Sequence, residues 1–378
     1  MKARNLDTTF MAAALRLAVL GRGRTSPNPM VGAVVVANGR VVGRGYHRRA
    51  GGPHAEVIAL RQAGRRSRGA TLYISLEPCS HDRKRTPPCV PLILRSGVRR
   101  VVAAMRDPNR SVNGRGLRAL KAAGLNVEEG CLSEEAERLN AAYCRWQRTG
   151  RPLVILKAGM TLDGKVATGR GESQWITGAR ARQHAHRLRA RVDAIMVGIG
   201  TVKKDDPQLT VRLPGQVRQP LRIVVDSLAT ISPRTKILSP GLRNGTLVAI
   251  TDRAPVSRRT RLQNLGVNVL VLKSRQGKVP LESLLNTLGR LGITSVLIEG
   301  GSELNAAALE EGLVDRVAFY IAPRLLGGQD AKGVIGGRSP LRLAGATTIT
   351  DMSVQRIGPD LLIEGAVTAG RDRSRNGS

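Results

Sequence analysis

Three short motifs carry residue types that could do chemistry together: His54-Ala55-Glu56, Pro78-Cys79, and Cys89. They supply one imidazole, two potential thiolates and one carboxylate. His54, Cys79 and Cys89 form a three-ligand zinc set, which leaves a fourth position for a water and lowers its pKa to about 7. Glu56 lies two positions after His54 at the start of the same expected helix, so it can face that water and shuttle protons. Both cysteines fall near an expected helix N-terminus, where the positive end of the dipole favours the thiolate that a metal requires. Alone, His-x-Glu describes an ordinary helix start with a surface acid. Joined to Pro-Cys and a second cysteine across one strand, it describes the parts of a zinc deaminase acting on an amino-bearing base. Nine residues separate Cys79 from Cys89, whereas nucleic-acid deaminases have two. A purely structural zinc is the rival reading of these ligands. Cys131 and Cys144 have no such partners and read as buried apolar residues.

Further along, Gly300-Gly301 sits between an expected strand ending at Glu299 and an expected helix from Ser302. That arrangement points backbone N–H groups at an anion, although many such turns use glycine only for its geometry. Arg189 and Arg212 could hold a phosphate through bidentate hydrogen bonds. With 61 Lys and Arg in the chain, solvated surface is the default for either one. Trp175 is one of two tryptophans and by composition alone belongs in a core.

These residues must be positioned by secondary structure, and its signals alternate. Residues 31–36 and 41–45 read as strands joined by Asn38-Gly39, a hairpin turn pair. His54 to Ala63 reads as a helix closed by Gly64. Strands follow at 70–76 and 98–104 around a helix at 88–96, and one helix spans 133–148. Gly150-Arg151-Pro152 marks a boundary. The alternation then restarts, with strands at 153–158, 192–199, 221–226, 246–251, 267–272, 294–299 and 314–322. Two α/β domains follow: 1–148 and 149–368, with 369–378 expected to be a disordered tail. Phe10 to Leu20 carries Arg16 and reads as an amphipathic helix rather than a signal peptide.

Composition narrows the class. No apolar run approaches the roughly 20 residues that cross a bilayer, so no membrane span is expected. Four cysteines in 378 residues do not make a disulfide scaffold, which points to a reducing cytoplasm. The net charge of +33 raises nucleic acid as a partner. Its distribution argues against that as the primary role. Residues 1–150 hold 27 Lys and Arg against 10 Asp and Glu, and the remainder 34 against 18, so the charge is spread over both halves. Aromatics are 2% of the chain, too few for base-stacking platforms.

Pro78-Cys79-Ser80-His81 through Arg85-Thr86-Pro87-Pro88-Cys89 resembles the deaminase of riboflavin biosynthesis. Pro27-Asn28-Pro29-Met30-Val31-Gly32, Met105-Arg106-Asp107-Pro108-Asn109 and Gly114-Arg115-Gly116 match that family as well. The departure is Asp82-Arg83-Lys84 in place of His-Gly, one extra residue between the cysteines. The second half resembles the reductase of the same pathway. Its matches run through 157–165, 171–177, Gly198-Ile199-Gly200-Thr201-Val202, 205–212, Val225-Asp226-Ser227 and Glu299-Gly300-Gly301-Ser302. The resemblance implies a cytidine-deaminase-like three-layer α/β/α domain followed by a dihydrofolate-reductase-like α/β domain. It also implies that Asn28 contacts the first substrate. For the second site it implies that Gly159, Trp175, Thr201, Asp205, Ser227 and the run Gly301, Ser302, Glu303, Leu304, Asn305, Ala306 and Ala307 line NADPH. Ser173, Arg189, Leu209, Arg212 and Glu299 would then line the substrate, with Lys157 as a weaker candidate.

The implied activity is bifunctional. One zinc per chain serves hydrolytic deamination of a ribosylaminopyrimidine 5′-phosphate, and NADPH then reduces its ribosyl group to ribityl. The partner is a small phosphorylated pyrimidine, and a homo-oligomer is compatible with the sequence. Two rivals remain at this point: an RNA or nucleoside deaminase with an unrelated C-terminal domain, and a basic nucleic-acid-binding protein with structural zinc.

Overall fold

The computed structural model describes residues 2–80, 88–215 and 217–368. The Asp82-Arg83-Lys84 loop and the tail 369–378 lie outside the described residues. The chain divides into two compact units, Met1–Arg151 and Pro152–Ser378.

The first unit runs α1 (Lys2–Val19), β1 (Gly32–Ala37), β2 (Arg40–Tyr46), α2 (Ala55–Ala63), β3 (Thr71–Ile74), α3 (Cys89–Arg95), β4 (Arg100–Ala103), α4 (Arg115–Ala122), β5 (Asn126–Glu129), α5 (Ser133–Leu139) and α6 (Ala141–Thr149). Its strands form one sheet in the order β2-β1-β3-β4-β5. The β1–β2 and β1–β3 pairs are antiparallel, and β3, β4 and β5 are parallel. Side chains alternate across the pleat. Ala33, Val35, Leu72, Ile74, Val101 and Ala103 join the core under α2, α3 and α4. Val34, Val36, Tyr73 and Val102 join the opposite core with Met11, Ala14 and Cys144. Two apolar faces on one sheet make the three layers.

Asn38 and Gly39 both take positive φ, 48° and 73°, as a type I′ hairpin turn requires. The expected single helix over 133–148 is broken at Asn140. The side chain of Asn140 accepts from Met30 N at 2.8 Å and donates to Met30 O at 3.0 Å, pinning the break to a loop 110 residues away. Gly45 leaves no room for a Cβ against Ala55 O, so β2 seats the start of α2 at backbone contact.

The second unit runs β6 (Leu153–Thr161), β7 (Lys165–Ala167), α7 (Ala179–Arg189), β8 (Ala194–Gly198), α8 (Ile199–Asp205), β9 (Leu221–Val225), β10 (Thr246–Thr251), α9 (Val256–Asn264), β11 (Asn268–Leu272), α10 (Leu281–Arg290), β12 (Ser295–Ile298), α11 (Ser302–Glu310), β13 (Arg316–Ala322), β14 (Lys332–Gly333), β15 (Thr348–Ile357) and β16 (Asp360–Thr368). Nine strands form a sheet in the order β11-β10-β9-β8-β12-β6-β13-β16-β15. The seven from β11 to β13 are parallel, and the hairpin β15–β16 closes the edge antiparallel. Every residue of β10 is buried, the pattern of a strand covered on both faces. Leu188, Ile195, Val248 and Leu262 pack on one face, and Met196, Ile223, Leu284 and Ala308 on the other. Among the described residues, no helix is long and apolar enough to cross a membrane.

Candidate functional site

In the first unit, His54 is the extended residue that caps α2, and Glu56 lies in that helix's first turn. Cys89 opens α3. The Cys79 carbonyl accepts the Cys89 and Val90 N–H groups at 3.0 and 3.3 Å, so both cysteines sit at that helix start. His54 Nδ1 lies 3.1 Å from Cys89 Sγ and 3.6 Å from Cys79 Sγ, and ligand atoms of the three lie within 4.8 Å of one another. A tetrahedral zinc with bonds of about 2.0–2.3 Å holds its ligand atoms roughly 3.5 Å apart, so this donor set fits zinc.

The electrostatics agree. A hydrogen bond from Cys89 draws the Cys79 thiol down to about 4, against the opposing effect of burial and with help from His54. The same pairing, with burial, pushes the Cys89 thiol up. A bound dication would favour the thiolate form of both. Burial raises the Glu56 carboxyl above the usual range, opposed by the nearby His54.

A cavity of about 550 Å³ joins Asn28, His47, His54, Glu56, Glu77, Cys79, Asp107, Asn109, Tyr143 and Gln147. Of these, sequence reasoning assigned no role to His47, Glu77, Asp107, Asn109, Tyr143 or Gln147, although Asp107 and Asn109 stand in a motif matched to the family. His47 Nδ1 is 3.1 Å from Pro53 O, and its Nε2 is 3.2 Å from Asn28 Nδ2. A carbonyl only accepts, so Nδ1 carries the proton and Nε2 accepts from the Asn28 amide. Tyr143 donates to Asp107 Oδ1 at 2.8 Å. Cys144 is buried, as expected, while Cys131 is only partly so.

In the second unit a cavity of about 600 Å³ is lined by Lys157, Gly159, Ser173, Trp175, Arg189, Thr201, Asp205, Leu209, Arg212 and Glu299 among others. At its floor Glu299 accepts from Arg189 Nε at 2.6 Å and Nη2 at 2.9 Å, and from Lys157 Nζ at 3.3 Å. Burial would raise the Glu299 carboxyl, but Arg189 and Lys157 outweigh it and hold the group well below the carboxylate range. Arg189 Nη1 donates to Thr210 O at 3.0 Å. The fork of Arg189 is thus engaged by the Glu299 carboxylate and a backbone carbonyl, while the residue stays on the cavity wall. Arg212 is exposed at the rim. Its N–H donates to His186 Nδ1 at 3.2 Å. Burial, with Arg189 and Arg212 nearby, lowers the His186 pKa to about 4.

Trp175 is 59% exposed rather than packed in a core, and the Arg182 guanidinium stands 4.6 Å from its ring centroid. Ser173 Oγ is 3.2 Å from Asp205 Oδ1. Gly301 is the extended cap of α11, and a Cβ there would come 3.3 Å from Thr201 Oγ1, so the glycine keeps a helix start open beside the cavity. Only the first turn of α11 presents unpaired N–H groups. Asn305 N already bonds Gly301 O, and Leu304, Asn305 and Ala306 are buried. Ser302 Oγ donates to Gly333 O, and Asn305 Nδ2 donates to Val334 O at 2.9 Å. Ser227 lies apart from the cavity lining, with its hydroxyl 3.2 Å from Val279 N. His186, Arg182, Lys236 and Tyr320, which also line this cavity, were not singled out from sequence.

Two family models match the chain: the cytidine and deoxycytidylate deaminase zinc-binding region over residues 4–105, and the RibD C-terminal domain over 152–363. The riboflavin biosynthesis protein RibD of Escherichia coli K12 is 44% identical, covering 94% of this chain and 98% of its own. That of Actinobacillus pleuropneumoniae is 43% identical over 95% and 94%. Among solved structures, Acinetobacter baumannii RibD matches with a TM-score of 0.88 at 39% identity, covering 97% of this chain and 99% of that one. A Thermotoga maritima protein, described as a diaminohydroxyphosphoribosylaminopyrimidine deaminase and 5-amino-6-(5-phosphoribosylamino)uracil reductase, matches at 0.84 with 35% identity, covering 97% and 100%. Both halves match the same full-length proteins in one order, which sets aside an RNA deaminase with an unrelated C-terminal domain and a nucleic-acid binder with structural zinc. The chain belongs to the RibD family, the bifunctional zinc deaminases and NADPH-dependent reductases of riboflavin biosynthesis.

Proposed function

We propose that the first cavity deaminates 2,5-diamino-6-ribosylamino-4(3H)-pyrimidinone 5′-phosphate, and that the second reduces the ribosyl group of the product to give 5-amino-6-ribitylaminouracil 5′-phosphate. The observation that carries this reading is the meeting of His54, Cys79 and Cys89 with buried Glu56 and with Asn28 at one cavity. His54, Cys79 and Cys89 hold the zinc, which supplies a water acidic enough to react at neutral pH. Glu56 takes a proton at its carboxylate and delivers it to the departing amine. Asn28, oriented by neutral His47, contacts the pyrimidine.

In the second cavity NADPH supplies the hydride. Gly159, Trp175, Thr201 and Asp205 receive it, with the first turn of α11 from Gly301 facing its phosphates. Ser227 and residues 302–307 are assigned to the same cofactor site. Ser173, Leu209 and Glu299 line the ribosyl substrate, with Lys157 beside Glu299. Arg189, which also orients Glu299, and Arg212 meet the substrate phosphate. Four free thiols accord with work in a reducing cytoplasm, and the reading is the same for a monomer or a homo-oligomer.

Two assays test it. Ammonia release from the diaminopyrimidine substrate should vanish in Glu56→Ala while bound zinc is retained. NADPH oxidation with the deaminated substrate should persist in that variant. If Glu56→Ala still releases ammonia at the wild-type rate, the first assignment fails; if no NADPH is consumed by the wild type, the second fails.

A further inference from the structure

Glu77 lines the first cavity, two residues before Cys79, and is buried, 4% exposed. Among the described residues no basic side chain makes a hydrogen bond or ion pair with it. Its oxygens are taken up by backbone instead. Oε2 accepts from Asp107 N at 3.1 Å and Gly114 N at 2.7 Å, and Oε1 from Gly116 N at 2.8 Å and Leu117 N at 3.4 Å. Its own N–H donates to Met105 O at 3.0 Å. An ionised carboxylate offers about four lone-pair sites. All of them are engaged, so Glu77 has no acceptor capacity left for a substrate or a proton in transit.

What those bonds hold is the segment from Asp107 to Leu117. It leaves β4 with Asp107 and Asn109, both on the cavity wall, and ends in the first turn of α4. Asp107 turns back on the segment, accepting from Asn109 N at 2.9 Å and from Tyr143 at 2.8 Å. Gly114 takes φ +81°, and a Cβ on Gly116 would run into Pro78 O and stand 3.3 Å from Glu77 Oε1. The Gly114-Arg115-Gly116 motif thereby has a physical reason: both glycines bring their N–H groups onto one buried carboxylate, which only a chain without side chains at those points can do.

We propose that Glu77 is a positioning residue for the deamination site, fixing where Asp107 and Asn109 stand relative to the metal ligands without touching zinc or substrate. Because it sits on the same short segment as Cys79, one carboxylate references the substrate-facing wall to the metal cage. The idea rests on the reading of this cavity as the deamination site.

The test is Glu77→Gln in the full-length zinc-loaded enzyme. An amide keeps the shape but presents an NH₂ to two of the four N–H donors, so the segment must shift. The KM for deamination rises roughly tenfold, with kcat within about threefold, because uniform binding is what the wall supplies. Zinc content and NADPH oxidation on the deaminated substrate stay at wild-type values. Gly116→Ala keeps the carboxylate and displaces the same segment from the other side, and it gives the same KM-selective loss. In a double-variant cycle the KM effects of Glu77→Gln and Asn109→Ala add to less than their sum, as expected of residues acting through one contact.

A wild-type KM in Glu77→Gln at full zinc overturns the proposal, and so does a fall in kcat alone or a loss of zinc with KM unchanged. Should Glu77→Gln fail to fold, Gly116→Ala decides: a wild-type KM there overturns the proposal on its own. If Glu56→Ala retains ammonia release, the underlying reading of the cavity fails. An inactive Glu56→Ala beside a normal Glu77→Gln removes only the present proposal.

Discussion

Asn28 Nδ2 lies 3.2 Å from His47 Nε2, and His47 is locked into the accepting tautomer because its other nitrogen faces Pro53 O at 3.1 Å. A neutral histidine thus sets the rotation of an amide on the wall of the first cavity. Replacing His47 by Ala should raise the KM for deamination by about tenfold, the equivalent of about 1.4 kcal/mol for one lost neutral hydrogen bond. Combining it with Asn28→Ala should add little further. Fully additive effects in steady-state ammonia release would show that the two act separately.

Glu299 gives the second unit an acid-sensitive floor. Its folded pKa is depressed by Arg189 and Lys157 against the cost of burial, while an unfolded Glu titrates near 4.3. The stability it contributes is present above pH of about 4.3 and is lost as pH falls below that value toward the folded pKa. Glu299→Gln should flatten that limb in urea unfolding between pH of about 5 and 3. At pH 7 it should cost about 3 kcal/mol or more, since two cations are left facing a neutral group. An unchanged acid limb would contradict the assignment.

The sign for His186 follows from the opposite charge type. Burial, Arg189 and Arg212 hold its pKa at about 4, whereas the unfolded residue titrates near 6.5. Between those values the unfolded chain binds the extra proton, so His186 withdraws stability as pH falls from about 6.5 to 4. Imidazole NMR should find the Nδ1-accepting neutral tautomer at pH 6. A half-titration point above about 6 would refute this environment.

Gly301 should be selective for the cofactor. A valine there brings its side chain onto Thr201 Oγ1, which is 3.3 Å from the first carbon alone. The residue's φ of −75° is open to any residue, so the fold should tolerate the change. The KM for NADPH should rise by about tenfold or more, with the KM for the deaminated pyrimidine within about threefold, measured by NADPH oxidation. Equal loss on both substrates would mean that the turn does not face the cofactor.

What was legible in the sequence was what is local. Asn38-Gly39 announces its hairpin because the turn demands two positive φ angles, and His-x-Glu with Pro-Cys announces its ligands because a helix start brings them together. Long-range bonds were not legible. Asn140 breaks a well-patterned helix by bonding Met30, 110 residues earlier. Arg189 bonds Glu299, also 110 residues away. The β15–β16 hairpin is not legible either, because β15 is mostly exposed and gives no apolar alternation to read. Asp107 and Asn109 stand in a recognisable motif, yet only the fold brings them into one cavity lining with Glu56.

The parallel pairing of β3 with β4 sets Ile74 against Ala103. Cys79 follows the first of these strands and Asp107 the second. A slip of one residue in that pairing would move the metal ligand past the substrate wall by about 3.3 Å. Misplacement by as little as about 1 Å can cost a reaction a hundredfold. The tolerance of this cavity is thus written into strand register: among the alignments the two strands could adopt, one alone keeps Cys79 and Asp107 on its common wall.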